Sequence, residues 1–100
     1  MKNKITILQI ARDDIAEIYF YISQDSKKAA LSAIDRIIDK IDTLAEFPLI
    51  GKIIQDNELA KQGYRMITID KYIIFYKIIK DEIVIYRVLH EARNYPKILH

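Results

Sequence analysis

The spacing of apolar residues changes along the chain, and each change marks an element. Lys4 to Ile10 (KITILQI) is β-branched and apolar on both alternating sets, which predicts a short first strand covered on both faces. From Ala11 the period lengthens. Ala11, Ile15, Ile18 and Ile22 recur at helical spacing, with Tyr19 beside them and Arg12, Asp13 and Glu17 towards the opposite side. Asp13 and Asp14 are expected in the first turn, where carboxylates favour the positive end of the helix dipole. This helix should stop near Gln24-Asp25. Ser26 is then placed to cap a second helix, because its hydroxyl can accept an otherwise unpaired amide proton. Ala30, Ile34, Ile37, Ile41 and Leu44 form the stripe of that helix, widened by Ala33 and Ile38. Pro48 ends it. The link at Ser26 is short enough to require an antiparallel helix pair.

Pro48 to Gln62 carries turn signals without a sustained period, and reads as a loop with one helical turn near Glu58 to Lys61. Gly51 is expected to supply a positive φ there. From Gly63 to Arg93, Val, Ile, Tyr and Phe dominate, broken at Asp70-Lys71 and at Lys80-Asp81-Glu82. Breaks that short join antiparallel neighbours, so the stretch predicts a three-stranded meander. Its middle strand sets Tyr72, Ile74, Tyr76 and Ile78 on one face and Ile73, Phe75, Lys77 and Ile79 on the other, and should lie centrally. In the last strand, alternation groups Arg87 with Ile83, Ile85 and Leu89, and His90 with Val84, Tyr86 and Val88. The predicted order is β-α-α-β-β-β. It is an α+β domain over residues 1–100, with a helical hairpin packed on a mainly antiparallel four-stranded sheet.

Composition narrows the chemistry. One hundred residues, 51% of them hydrophobic, suffice for a core without staples. The chain has no cysteine and two histidines, which excludes disulfides, thiolate zinc sites and an all-histidine metal centre, so no metal or cofactor is expected. Sixteen basic against fourteen acidic residues leave a net charge of +2, weak for a protein that lives on phosphate contacts. The N-terminal residues lack a signal-peptide core, and no window reaches the roughly 18 apolar residues of a membrane span; the chain reads as soluble and cytoplasmic.

The candidate functional residues are Arg65, His90, Arg93 and Tyr95. Arg65 opens the meander, and the other three close it in a polar tail with Asn94. Each has a plain alternative: a solvated arginine, or a strand-end histidine bonded to backbone or to tyrosine. Arg87, set among apolar residues, calls for a carboxylate, with Asp14 or Glu17 on the first helix in reach. Tyr72 and Tyr76 read as packing residues. Nothing near Asp13, Asp14 and Glu17 completes a metal site.

Taken together, these residues resemble the RelE/ParE superfamily of toxins from type II toxin–antitoxin systems. Ala11, Asp14, Ile15, Ile18 and Tyr21 match its first helix, and Leu44, Pro48 and Gly51 its L-x-x-x-P-x-x-G helix ending. Tyr64-Arg65 with Tyr72, Ile74, Phe75 and Tyr76 match a strand pair, and Ile85, Arg87, Val88, His90 and Arg93 match an I-x-R-V-x-H-x-x-R ending. The resemblance implies a growth-inhibiting toxin from a plasmid-stabilisation type of module. It would be silenced in a hetero-oligomer by an antitoxin encoded beside it, whose tail folds onto the toxin. Within the superfamily, ParE-like members poison DNA gyrase without being enzymes. RelE-like members are ribosome-dependent, metal-independent mRNA endoribonucleases (mRNA interferases), for which Arg65, His90, Arg93 and Tyr95 would be the catalytic set. A degenerate member would only bind its partner. Ile67, Ile73 and Ile74 stand where a nuclease would set further cations, so the residues lean towards the gyrase branch.

Overall fold

A computed structural model describes residues 2–100. Its elements are β1 (Lys4–Ile7), α1 (Gln9–Ser23), α2 (Lys27–Glu46), β2 (Lys52–Ile53), α3 (Asn57–Lys61), β3 (Arg65–Ile69), β4 (Tyr72–Ile79), β5 (Glu82–His90) and α4 (Tyr95–Leu99). The five strands form one sheet in the order β1-β5-β4-β3-β2. β1 runs parallel to β5, and every other pair is antiparallel. The sheet thus has one strand more than the sequence predicts. That strand, β2, is two residues long, too short to leave a period of its own.

The helical hairpin packs where its stripes demand. Ala11, Ile37, Ile41 and Leu44 close against Ile74, Tyr76, Ile83, Ile85 and Val88. Ser26 caps α2 as expected, its hydroxyl accepting the Ala29 amide at 3.0 Å. α1 begins two residues earlier than its apolar stripe indicates, because the amides of Ala11 and Arg12 bond the Leu8 carbonyl at 3.0 and 3.1 Å. Asp13 and Asp14 therefore lie beyond the first turn, where the helix dipole no longer accounts for them.

The opposite face of the sheet is covered as well. Ile54, Leu59, Tyr64, Phe75 and Leu89 make a second cluster, over which Tyr95, Ile98 and Leu99 of α4 fold back. The polar tail continues into a helix capped by Asn94. It is latched at its end by His100, which lies 3.2 Å from both Asp56 and Glu58. Asp56 also caps α3, and the Leu59 amide, then the His100 ring, hold its carboxyl below the ordinary value of 3.8. A depressed carboxyl stabilises the fold above its ordinary range and loses that contribution as pH falls through the lowered value. Protection of the Leu59 amide against exchange should accordingly drop below about pH 4 while β4 and β5 stay protected.

A bulge shifts the alternation in β5. Phe75 pairs with Arg87 but Tyr76 pairs with Ile85, which leaves Tyr86 as the extra residue. Val88 therefore joins Ile83 and Ile85 on the hairpin face, and Leu89 joins Tyr86 on the other. The grouping drawn from strict alternation holds up to Tyr86 and again beyond it, but fails across it.

Gly51 also differs from expectation. The glycine with positive φ is Gly63, at 88°. Gly51 is required by close approach instead: a Cβ there would meet the Tyr76 hydroxyl, the Met66 carbonyl oxygen at 2.7 Å and Tyr76 Cε1 at 2.8 Å.

Candidate functional site

β5 outlasts its neighbour. β1 ends at Ile7, opposite Ile85, while β5 continues to His90, so the edge of its last residues lacks a strand partner on that side. α1 covers the gap, and Asp14 makes the contact. Its carboxylate accepts the Val88 amide at 3.0 Å and a bidentate pair from Arg87, Nε at 2.7 Å and Nη2 at 2.9 Å. The Asp14 side chain is only 9% exposed. This pairing, with Glu17 adding, pushes the Arg87 guanidinium above its ordinary value against the opposing effect of burial. The sequence demand for a carboxylate beside Arg87 is met by Asp14, and Arg87 is thereby committed to the scaffold.

Beside this pair lies a hollow of about 330 Å³ between α1 and the ends of β4 and β5. Glu17, Ile18 and Tyr21 line it from the helix, Tyr72 and His90 from the sheet, and Arg93 from the turn that follows. His90 stands edge-on to Tyr72, with centroids 5.7 Å apart, and its Nδ1 accepts the Ala92 amide at 3.0 Å. That acceptor role fixes the neutral ring as the Nε2–H tautomer. Burial, then Tyr21 and Asp70, raise the Tyr72 phenol, which stays protonated at neutral pH.

Of the four candidates, the fold brings His90 and Arg93 together in this hollow. Arg65 sits elsewhere. Its Nη2 donates to the carbonyls of Leu49 at 3.2 Å and Gly51 at 2.8 Å, and its Nε is buried without a partner among the described residues. Tyr95 lies on the opposite face of the sheet, stacked on Phe75 at 5.0 Å. Two features lie outside the candidate set. Lys77 is held over the rings of Tyr64 and Tyr86, at 4.4 and 4.8 Å; its sequence signal was being the lone charge in an apolar strand. Tyr76, read as packing, also uses its hydroxyl, donating to Pro48 at 2.8 Å and accepting from Gly51 at 3.1 Å. Among the described residues, no group of three acidic or histidine side chains is placed to hold a metal ion, and no helix is long and apolar enough to cross a membrane.

The family model for the ParE toxin of type II toxin–antitoxin systems (parDE) matches residues 5–95. The chain belongs to the ParE toxin family. Solved structures agree with this family's fold. A chain of the chromosomal ParDE toxin–antitoxin system from P. aeruginosa superposes with a TM-score of 0.74 at 19% identity, over 89% of this chain and 96% of that one. A chain of the RelBE2 toxin–antitoxin complex from Mycobacterium tuberculosis gives 0.64 at 22% identity, over 90% and 99%. No curated protein matches the sequence. The ParE-type fold accordingly combines the predicted helical hairpin with a five-stranded, mostly antiparallel sheet. Its His90–Arg93 hollow is built on the I-x-R-V-x-H-x-x-R ending noted in the sequence.

Proposed function

We propose that this ParE-family toxin arrests growth by poisoning DNA gyrase in the cytoplasm, and that an antitoxin encoded beside it keeps it silent. The observation that carries the gyrase reading is the dispersal of the would-be nuclease set. Cutting RNA without a metal needs several cations around one phosphate, with proton donors and acceptors in reach. Here Arg65 is tied to two loop carbonyls and Tyr95 is stacked on the far face, which leaves only His90 and Arg93 together. The hollow that holds His90 and Arg93 is also lined by Glu17, whose charge opposes a bound phosphate, while Asp14 beside it is already paired with Arg87. A binding surface that engages a protein target fits this arrangement better than a phosphodiester site does. His90 then serves to hold the turn through Ala92 and to shape the hollow with Tyr72, and Arg93 is the side chain that reaches outward.

Induced expression in a bacterial host, with and without the adjacent gene, tests the proposal. Growth should stop without the antitoxin, a DNA-damage response should follow, and messenger RNA should stay intact. Rapid loss of messenger RNA, abolished by Arg65→Ala or Arg93→Ala, would establish the nuclease reading instead. A soluble, folded protein without effect on growth would be a member that only binds its partner.

A further inference from the structure

Two charges of opposite sign line the same hollow, and neither has a partner. Glu17 faces it from α1 and Arg93 from the turn after β5. Among the described residues, neither forms an ion pair, with the other or with any third side chain. Asp14 differs, being fully engaged by Arg87 and the Val88 amide. His90 adds a neutral donor on the side of Arg93. Its Nδ1 accepts the Ala92 amide, so its Nε2–H remains to be offered outward.

The rest of the lining is aromatic and firmly placed. Tyr21 is 80% exposed, and Phe20 beside it in the chain is 65% exposed. Tyr72 faces them from β4 and holds His90 edge-on. Glu17 and Tyr21 follow Asp14 by one and two turns of α1, and the Asp14–Arg87 pair fixes that helix on β5. A site assembled before its ligand arrives loses little entropy on binding.

This lining selects a dipolar visitor. A phosphate would satisfy Arg93 and His90 but meet the charge of Glu17, and a lone ammonium would satisfy Glu17 but meet Arg93. A protein surface that carries a base and an acid side by side satisfies both. Arginine suits the base better than lysine does, because its flat guanidinium stacks on tyrosine while giving a carboxylate two N–H groups.

We propose that the hollow receives an arginine from the surface of gyrase, stacked on Tyr21 and Tyr72 and paired with Glu17, while a neighbouring gyrase carboxylate bonds Arg93 and the Nε2–H of His90. This assignment rests on the gyrase reading above and adds the chemistry by which the target is recognised.

Binding of purified gyrase to the full-length toxin tests it. Glu17→Arg and Arg93→Glu should each weaken binding about a hundredfold, and Glu17→Gln about tenfold. The double variant Glu17→Arg/Arg93→Glu keeps the net charge of the parent and should stay weak, because the order of the two charges is reversed. Lys28→Glu, exposed on α2 and away from the hollow, should bind as the parent does. Glu17 and Arg93 are exposed, and a denaturation curve with the parent midpoint confirms that each variant folds. Equal binding by the parent and by Glu17→Arg would overturn the arginine slot while leaving the gyrase reading intact. No binding by the parent would overturn both. Affinity lost in Arg93→Glu but gained in Glu17→Arg would overturn the slot in favour of a bare anion, such as a phosphate of gyrase-bound DNA.

Discussion

Asp14→Ala is expected to remove about 3 kcal/mol of stability, the largest loss from any single polar substitution in this chain. The carboxylate satisfies three donors at once: two from Arg87 and the backbone amide of Val88. Truncating it leaves a guanidinium that is only 18% exposed without a counter-charge, and an amide on a strand edge without an acceptor. An exposed ion pair would be worth under about 1 kcal/mol, so burial decides the magnitude. Arg87→Ala should cost a similar amount for the mirror reason. The double variant should cost clearly less than both losses added, because the second truncation removes the stranded charge left by the first. Denaturant unfolding of the four proteins measures this, with the midpoint moving and the slope holding. Additive losses of a few tenths of a kcal/mol would mean that the pair is a solvated contact rather than the pin of α1 on β5.

The second large effect is at Gly51. Gly51→Ala should destabilise by about 2–3 kcal/mol, because the added methyl meets a tyrosine ring and a backbone carbonyl that cannot retreat independently. Removing the hydroxyl with Tyr76→Phe should recover only part of this, since Met66 O and Tyr76 Cε1 remain at 2.7 and 2.8 Å from the new carbon. Gly63→Ala supplies the contrast. Nothing lies within 4 Å of its Cβ position, so only the φ of 88° opposes the change, at about 1 kcal/mol. Thermal or denaturant midpoints in the order parent, Gly63→Ala, Gly51→Ala would bear this out. The reverse order would mean that backbone strain outweighs the loop's fit against Tyr76.

That contrast also shows where the sequence can and cannot be read. A glycine after a proline announces a special backbone site, but close approach and positive φ leave the same letter, and Gly51 serves the first. Long periodic elements were legible: the Ala30–Leu44 stripe, the Ser26 cap and the apolar middle strand all reappear as drawn. So was the need of Arg87 for a carboxylate, because a buried charge permits few alternatives. β2 was not legible, since two residues carry no period and pair only because β3 offers a free edge. The bulge at Tyr86 left no glycine to mark it, and one unmarked extra residue inverts every later side assignment. The C-terminal helix had a readable sign in Asn94-Tyr95-Pro96, a cap followed by a proline in the first turn, with Ile98 and Leu99 beyond it. At the site, His90 and Arg93 are neighbours in the chain and stay together. The separation of Arg65 and Tyr95 from them depends on sheet order and on the side of the sheet, which local spacing does not encode.

Gyrase as the target meets its most direct test in a supercoiling assay. Purified gyrase, relaxed plasmid and ATP are incubated with the toxin, and the products are resolved with and without protein denaturation. The expected result is blocked supercoiling with linear, gyrase-linked DNA accumulating, reversed when the antitoxin is added first. Unchanged supercoiling at toxin concentrations that arrest growth, together with cleaved messenger RNA on translating ribosomes, would contradict it.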